Sequence, residues 1–345
     1  MAGEAEKSQD KKQRSTSELR QDIVTGDWVI IATARGKRPD DFVTPPRVTG
    51  IESPDIFEDP KASGQEEDML IYMRPDGDWS LRVFPNKFPA VSRSNGRPKS
   101  LADGPYFGMS AVGYHEVIVT RDALRSIAEL ETWQVAELLD AYQDRYLSLM
   151  NKASVNYIQI FHNHGHEAGA SVPHPHSQLM AIPVVAPYVE SILSGAERFY
   201  KSHRQRVYGT MVEYEREKKK RLVFENDDFV VFAPYASRVA FELWVVGKRP
   251  NPYFERITDE EKFACGEALQ KALQVLYRGL GDPAYNFYLY TAPCDGKEYP
   301  HFQWHIEIAP HTATWAGFEL STGIEISSIE PETAAAFLRE KLESA

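Results

Sequence analysis

Five of the ten histidines in this chain of 345 residues fall between His162 and His176. They lie in the run Phe161-His162-Asn163-His164-Gly165-His166-Glu167-Ala168-Gly169-Ala170-Ser171-Val172-Pro173-His174-Pro175-His176-Ser177-Gln178. If the end of the run is extended, its side chains alternate. His174, His176 and Gln178 then share one face, and Pro175 and Ser177 take the other. Pro175 has no N–H to give to a ladder and marks a strand start or an edge. A neutral imidazole on such a strand is a good nucleophile near pH 7. Attack by His176 on the α-phosphorus of a nucleotide would form a phosphoramidate and divide one difficult transfer into two easier ones. Gln178 could donate its amide to a non-bridging oxygen as charge develops there. The backbone amides of the Gly-Ala-Ser loop before the strand suit a phosphate. On the residues alone, two other readings stand beside this one. A His-x-His pair with His162, His164 and His166 nearby could hold zinc, or the histidines could be structural.

The elements that would position this motif alternate between strand and helix. Strand patterns occur at 27–33, at Leu81-Arg82-Val83-Phe84, at Glu116-Val117-Ile118-Val119 and at Tyr157-Ile158-Gln159-Ile160-Phe161. Apolar residues at Trp133, Ala136, Leu139, Tyr142, Tyr146, Leu149 and Met150 have helical spacing. A second helix is expected from Pro187 to about Arg206. A third begins at Thr258-Asp259-Glu260-Glu261, a capping box, and continues through Phe263, Ala264, Leu269, Leu273 and Leu276. Residues 34–68 read as loop. Lys218-Lys219-Lys220-Arg221 reads as a solvated approach to a strand.

The pattern repeats. Val83-Phe84-Pro85-Asn86 resembles Val223-Phe224-Glu225-Asn226, and Glu116-Val117-Ile118-Val119 resembles Glu242-Leu243-Trp244-Val245. Asn156-Tyr157-Ile158 resembles Asn286-Phe287-Tyr288, and His174-Pro175-His176-Ser177-Gln178 resembles His301-Phe302-Gln303-Trp304-His305. This alignment sets Gln303 opposite His176, so only the first copy would carry a nucleophile. The expected organisation is a tail over 1–17, a first repeat over 18–205 bearing the histidine motif, and a second repeat over 206–345. The fold class is α/β (α+β), with a largely antiparallel sheet and packed helices.

The net charge of -11 argues against nucleic acid or an anionic membrane as the main partner. Cys265 and Cys294 form no CxxC pair and no disulfide framework, which suits a reducing cytoplasm. No apolar run approaches the roughly 20 residues of a membrane span, and the polar first residues have no signal-peptide core.

The run Ala170-Ser171-Val172-Pro173-His174-Pro175-His176-Ser177-Gln178 resembles the active-site motif of the galactose-1-phosphate uridylyltransferase family, a two-repeat branch of the histidine triad superfamily. Ala34-Arg35-Gly36-Lys37-Arg38-Pro39 is similar to its basic loop, and Arg82-Val83-Phe84-Pro85-Asn86-Lys87-Phe88 to its nucleotide-binding strand. Trp304-His305-Ile306-Glu307-Ile308 and Gly317-Phe318-Glu319 resemble its C-terminal portion. The resemblance implies that His176 takes the nucleoside monophosphate and that Gln178, Ser171 and Asn163 contact its phosphates. It implies that Asn86 and Phe88 line the nucleoside pocket, that Arg35 and Arg38 sit near phosphate, and that His174 holds the loop. The activity implied is ping-pong uridylyl transfer between UDP-glucose and a hexose 1-phosphate in galactose metabolism. The alternative is an ADP-sugar or dinucleoside tetraphosphate phosphorylase with the same covalent intermediate. Partners would be a nucleotide sugar, a sugar 1-phosphate and, by resemblance only, a second copy of the chain. The family's zinc is not expected. Its CxxC pair is absent around Glu52 to Glu58, and Ala123 stands where a ligand histidine is usual, so His174 is the one retained ligand.

Overall fold

A computed structural model describes residues 17–33, 38–45 and 55–343. Sixteen strands run in chain order among them. They are β1 (Glu18–Gln21), β2 (Trp28–Ile31), β3 (Leu70–Met73), β4 (Trp79–Pro85), β5 (Ser92–Arg93), β6 (Ser100–Asp103), β7 (Tyr106–Met109) and β8 (Val112–Thr120). The others are β9 (Tyr157–His164), β10 (His176–Ile182), β11 (Leu222–Glu225), β12 (Phe229–Phe232), β13 (Leu243–Gly247), β14 (Tyr285–Tyr290), β15 (His305–Pro310) and β16 (Glu325–Ser327). The α-helices are α1 (Thr132–Leu149), α2 (Pro187–His203), α3 (Val207–Lys218), α4 (Asp259–Leu280), α5 (Gly317–Thr322) and α6 (Pro331–Glu343). None of the described helices is long and apolar enough to cross a membrane.

The alternation read from the sequence builds one large sheet in the order β11-β12-β13-β15-β14-β9-β10-β8-β4-β3, with the short β5 alongside β8. Read inward from its two ends, the order is the same: a hairpin, a third strand, the histidine strand, then the inner strand. The repeats meet where β9 pairs antiparallel with β14, Asn163 opposite Asn286.

This topology corrects the alignment of the repeats. Val223-Phe224-Glu225 lies on β11, the partner position of β3, so the counterpart of β4 is β12. The pairing His176↔Val119 in the first repeat matches His305↔Val246 in the second. His176 and His305 each open their strand, and each ring Nδ1 meets the carbonyl two residues earlier, at 2.8 and 2.9 Å. The counterpart of His176 is therefore His305, not Gln303.

One face of the sheet carries α1 and α4 and a core continuous across both repeats, with Leu81, Ile118, Leu179, Leu243, Ile306 and Phe287 beneath Leu139, Tyr142, Leu269 and Leu276. Thr258 caps α4 as the sequence predicts, its hydroxyl accepting from Glu261 N–H. Trp133 and Phe263, assigned to apolar faces by their spacing, are instead half exposed. On the opposite face, α2 and α3 bury Val230, Phe232, Trp244 and Val246 of the second repeat. Gly195 lets α2 approach the β1–β2 turn, since a Cβ there would stand 1.9 Å from the Val24 oxygen. The first repeat has only a small cluster on this face, Phe57, Trp79, Phe84, Val117 and Val119. The basic run at 218–221 ends α3, and its Arg221 is buried rather than solvated.

Candidate active site

The loop before β10 reverses through Gly165 and Gly169, both at positive φ (84° and 87°), where a side chain would be strained. The expectation that its amides await a phosphate meets a local constraint. The N–H groups of Ala168, Gly169 and Ala170 already donate to carbonyls at 165 and 166.

β10 then alternates as predicted. Ser177 faces the core, where its hydroxyl accepts from Tyr142 at 2.5 Å and lies 3.1 Å from His162 Nδ1. His176 and Gln178 face the other way, beside Val119 and Val117 of β8. The His174 carbonyl can only accept, so it fixes the His176 proton on Nδ1. The lone pair is left on Nε2, which has no hydrogen-bond partner among the described residues. Burial lowers the His176 pKa, partly offset by the His174 carbonyl, so the ring is neutral at pH 7. The Phe57 ring meets it edge-on at 5.2 Å.

Gln178 is held by a residue the sequence reading missed. His115 on β8 receives the Ala90 N–H at Nδ1 (3.2 Å), which places its own proton on Nε2. That proton is donated to Gln178 Oε1 at 2.8 Å. The Gln178 amide is thereby turned so that its NH2 is the end left for a ligand. Asn86 Nδ2 stands 3.2 Å from the same histidine nitrogen, and Asn86 Oδ1 accepts from Phe88 N–H. Burial keeps the His115 pKa below its ordinary value. Position 163 of β9 adjoins position 176, and Asn163 Oδ1 accepts from Asn286, whose own oxygen faces His311 Nε2 at 2.7 Å.

The remaining sequence candidates divide. His174 is buried behind the nucleophile, its Nδ1 2.7 Å from Asp55 Oδ2 and its Nε2 2.7 Å from the Thr120 carbonyl. Both nitrogens face acceptors, so neither is left for a metal. Asp55 thus occupies a ring nitrogen that a metal would need, and the residues present do not fit the zinc that the resemblance implies. Phe88 is 83% exposed and encloses nothing in the single chain. Ser171 and Arg38 are exposed, the latter donating its backbone N–H to Asp41. Arg35 lies outside the described residues.

The second repeat has the same geometry with different chemistry. Arg238 N–H donates to Glu242 as Ala90 N–H does to His115, and Glu307 stands where Gln178 does. The Arg238 guanidinium bridges the two carboxylates, 2.5 Å from Glu307 and 3.5 Å from Glu242. His305 is fully buried, surrounded by Tyr208, Trp244, Tyr290 and Phe302, with Glu307 3.4 Å from its Nε2. A phosphorus atom cannot reach it. Of the two strand-opening histidines, His176 keeps a small exposed edge (7%) and His305 has none.

Known proteins share this architecture. Residues 6–186 match the family model described as galactose-1-phosphate uridyl transferase, N-terminal domain. Residues 112–345 match a domain of unknown function, DUF4921. An ADP-glucose phosphorylase from Arabidopsis thaliana is 33% identical over 96% of this chain and 95% of its own. A galactose-1-phosphate uridylyltransferase from Thermotoga maritima is 28% identical over 94% and 98%. A crystal structure of an ADP-glucose phosphorylase from Arabidopsis thaliana with bound ADP-glucose superposes with a TM-score of 0.80 at 30% identity, covering 94% of this chain and 99% of that one. With one family model over more than half its length and a relative of this similarity end to end, the chain belongs to the galactose-1-phosphate uridylyltransferase family and is an enzyme of the nucleotidyltransferase type.

Proposed function

We propose that His176 carries a nucleoside monophosphate from a nucleotide sugar to a phosphate acceptor, and that the nucleotide is an ADP-sugar with inorganic phosphate as the acceptor. The observation that carries the transfer is the His176 ring, neutral, tautomerically fixed and with a free Nε2. Nε2 attacks the α-phosphorus, the bond to the sugar-phosphate oxygen breaks, and sugar 1-phosphate leaves with the electron pair. The Nδ1–H bonded to the His174 carbonyl stabilises the positive charge that develops on the ring. The Gln178 NH2, aimed by His115, donates to a non-bridging oxygen. In the second half an oxygen of phosphate attacks the same phosphorus, the N–P bond breaks, and the electron pair returns to Nε2. A sugar phosphate is a good leaving group, so no strong acid is required.

The adenine reading is favoured by the 33% identity to the ADP-glucose phosphorylase and by the likeness to the structure with ADP-glucose. The uridine reading is supported by the uridylyltransferase that matches end to end at 28%. A panel separates them. ADP-glucose and UDP-glucose labelled at the α-phosphate are each incubated with protein, and exchange of labelled glucose 1-phosphate is followed. The proposal expects acid-labile, base-stable protein label from ADP-glucose and release of ADP on adding phosphate. Label only from UDP-glucose, discharged by galactose 1-phosphate, would select uridylyl transfer. No label from either rejects the covalent scheme. The homodimer belongs to the same proposal, and light scattering on the eluting protein tests it.

A further inference from the structure

The seam between the repeats runs beside the nucleophile. There β9 and β14 pair antiparallel, with Asn163 opposite Asn286. Side chains alternate along β9. His162 faces the core, its Nδ1 3.1 Å from Ser177 Oγ, so Asn163 lies on the other face with His176. Among the described residues the Asn163 amide has one hydrogen bond, and its partner comes from the second repeat. Asn286 Nδ2 donates to Asn163 Oδ1 at 2.7 Å.

Asn286 has no freedom to turn over. Its Nδ2 also donates to the Ala168 carbonyl at 2.9 Å, and a carbonyl can only accept. That contact identifies the nitrogen end of the amide. Its Oδ1 faces His311 Nε2 at 2.7 Å, so this ring nitrogen carries the proton. Both N–H bonds of Asn286 and its oxygen are thus engaged. An NH2 pointed at Asn163 requires an oxygen in return, which turns the Asn163 NH2 outward. That NH2 has no hydrogen-bond partner among the described residues and is not one of their sealed, unpartnered atoms. Gly169 leaves it uncovered: a Cβ at that position would stand 3.9 Å from Asn163 Nδ2. His115 does the same for Gln178 in one step, an imidazole N–H deciding which end of an amide meets the ligand.

We infer that Asn286 and His311 are positioning residues for nucleotidyl transfer: through them the second repeat holds the Asn163 NH2 toward a phosphoryl oxygen of the nucleotide on His176. The inference rests on the reading of His176 as the nucleophile. It gives the second repeat a part in the chemistry although its own histidine is sealed. An Asn163 amide released from Asn286 would present its oxygen as readily as its nitrogen, and the oxygen repels a phosphoryl group.

Single-turnover labelling of the full-length protein by α-labelled ADP-glucose and UDP-glucose, each at saturation, tests the relay. Asn286→Ala is expected to slow labelling about fivefold or more, the scale of one hydrogen bond. In the Asn163→Ala background the same substitution is expected to cost less than about twofold, because no amide is left to aim. His311 is exposed, so its variants keep the question open should Asn286→Ala fail to fold. His311→Ala is expected to be about threefold slower, since the Ala168 carbonyl still holds Asn286. His311→Gln, which keeps an N–H donor, recovers most of that loss, and His311→Glu, which offers only acceptors, recovers none. Equal rates in the unaltered and Asn286→Ala proteins, an undiminished cost of Asn286→Ala in the Asn163→Ala background, or equal rates in His311→Gln and His311→Glu each overturn the relay. No label on the unaltered protein from either nucleotide sugar is a different failure: it removes the reading of His176, and the relay with it.

Discussion

Replacing His115 by alanine tests whether this residue acts through Gln178. The substitution removes the Nε2–H donated to Gln178 Oε1 at 2.8 Å and the acceptor of the Ala90 N–H at 3.2 Å. Each bond contributes about 1 kcal/mol net, so the fold should lose about 1–2 kcal/mol. The effect on rate has two bounds. If Gln178 only wavers, one hydrogen bond of about 1 kcal/mol slows nucleotidylation about fivefold. If its NH2 turns away from the phosphorus altogether, the loss approaches the 100-fold or more typical of a missing oxyanion donor. We therefore expect a drop of about 5- to 30-fold in single-turnover labelling of His176, read by rapid quench at saturating nucleotide sugar. Gln178→Ala should be slower still. The double variant should be no slower than Gln178→Ala, because His115 has nothing left to orient. Strict multiplication of the two effects would refute the relay, for it would mean that His115 touches the reaction by another route.

Four further outcomes follow from the same geometry. His176→Gly should abolish the protein label, while His305→Gln should leave labelling intact and cost about 2 kcal/mol in urea unfolding, since it empties part of a buried aromatic cage. Labelling of His176→Gly and not of His305→Gln would reverse the assignment of the active repeat. Asp55→Ala should lower stability by about 1–3 kcal/mol by leaving a buried nitrogen of His174 unpaired, and elemental analysis of the wild type should find zinc far below one atom per chain. Labelling should be level above about pH 6.5, the ordinary histidine pKa, and fall only in more acid solution, because burial holds His176 below that value. Stability should follow the same sign: His115, His162 and His176 all have depressed folded pKa values, so the unfolded chain binds more protons. Their contribution is present above the unfolded pKa and is lost as pH falls toward the folded values, which urea midpoints from pH 7.5 to 5.5 would show.

What was legible in the sequence was local. A period of two placed His176 and Gln178 on one face and Ser177 on the other, and the capping box at Thr258 and Glu261 placed the start of α4. Register was not legible, because it is set by pairing across loops whose lengths the alternation does not constrain. The likeness of His301-Phe302-Gln303-Trp304-His305 to His174-Pro175-His176-Ser177-Gln178 drew the alignment to Gln303, yet the ladder pairs His305 with Val246 as it pairs His176 with Val119. The same slip of register hid His115. With Glu116 set opposite Glu242, the face of β8 is inverted, whereas in the fold Glu116 meets Arg145 of α1 and Glu242 lies on the face of Glu307. His115 would have emerged from the sequence only once its strand was paired correctly with β10.

The asymmetry between the repeats has a cause that no motif reveals. Both copies keep the histidine and its bond to the carbonyl two residues back. They differ in what lies above it. The chain between them, α2 and α3, folds over the second repeat, and Tyr208 on α3 closes over His305. Sealing a polar site raises the cost of every unpaired group in it, and the second copy carries Arg238 between Glu242 and Glu307, where the first has an amide and an imidazole waiting for a ligand. Once covered, such a site is held by its internal charges and packing rather than by substrate, which is why Glu307 can replace Gln178 there and could not do so beside His176: a carboxylate has no N–H to offer a phosphoryl oxygen and would repel it. Gln178→Glu should accordingly depress labelling more than Gln178→Ala, by about a further 1–2 kcal/mol or about 5- to 30-fold, the scale of one like-charge contact near a protein surface. A Gln178→Glu protein that labels faster than Gln178→Ala would show that residue 178 does not face the transferred phosphorus.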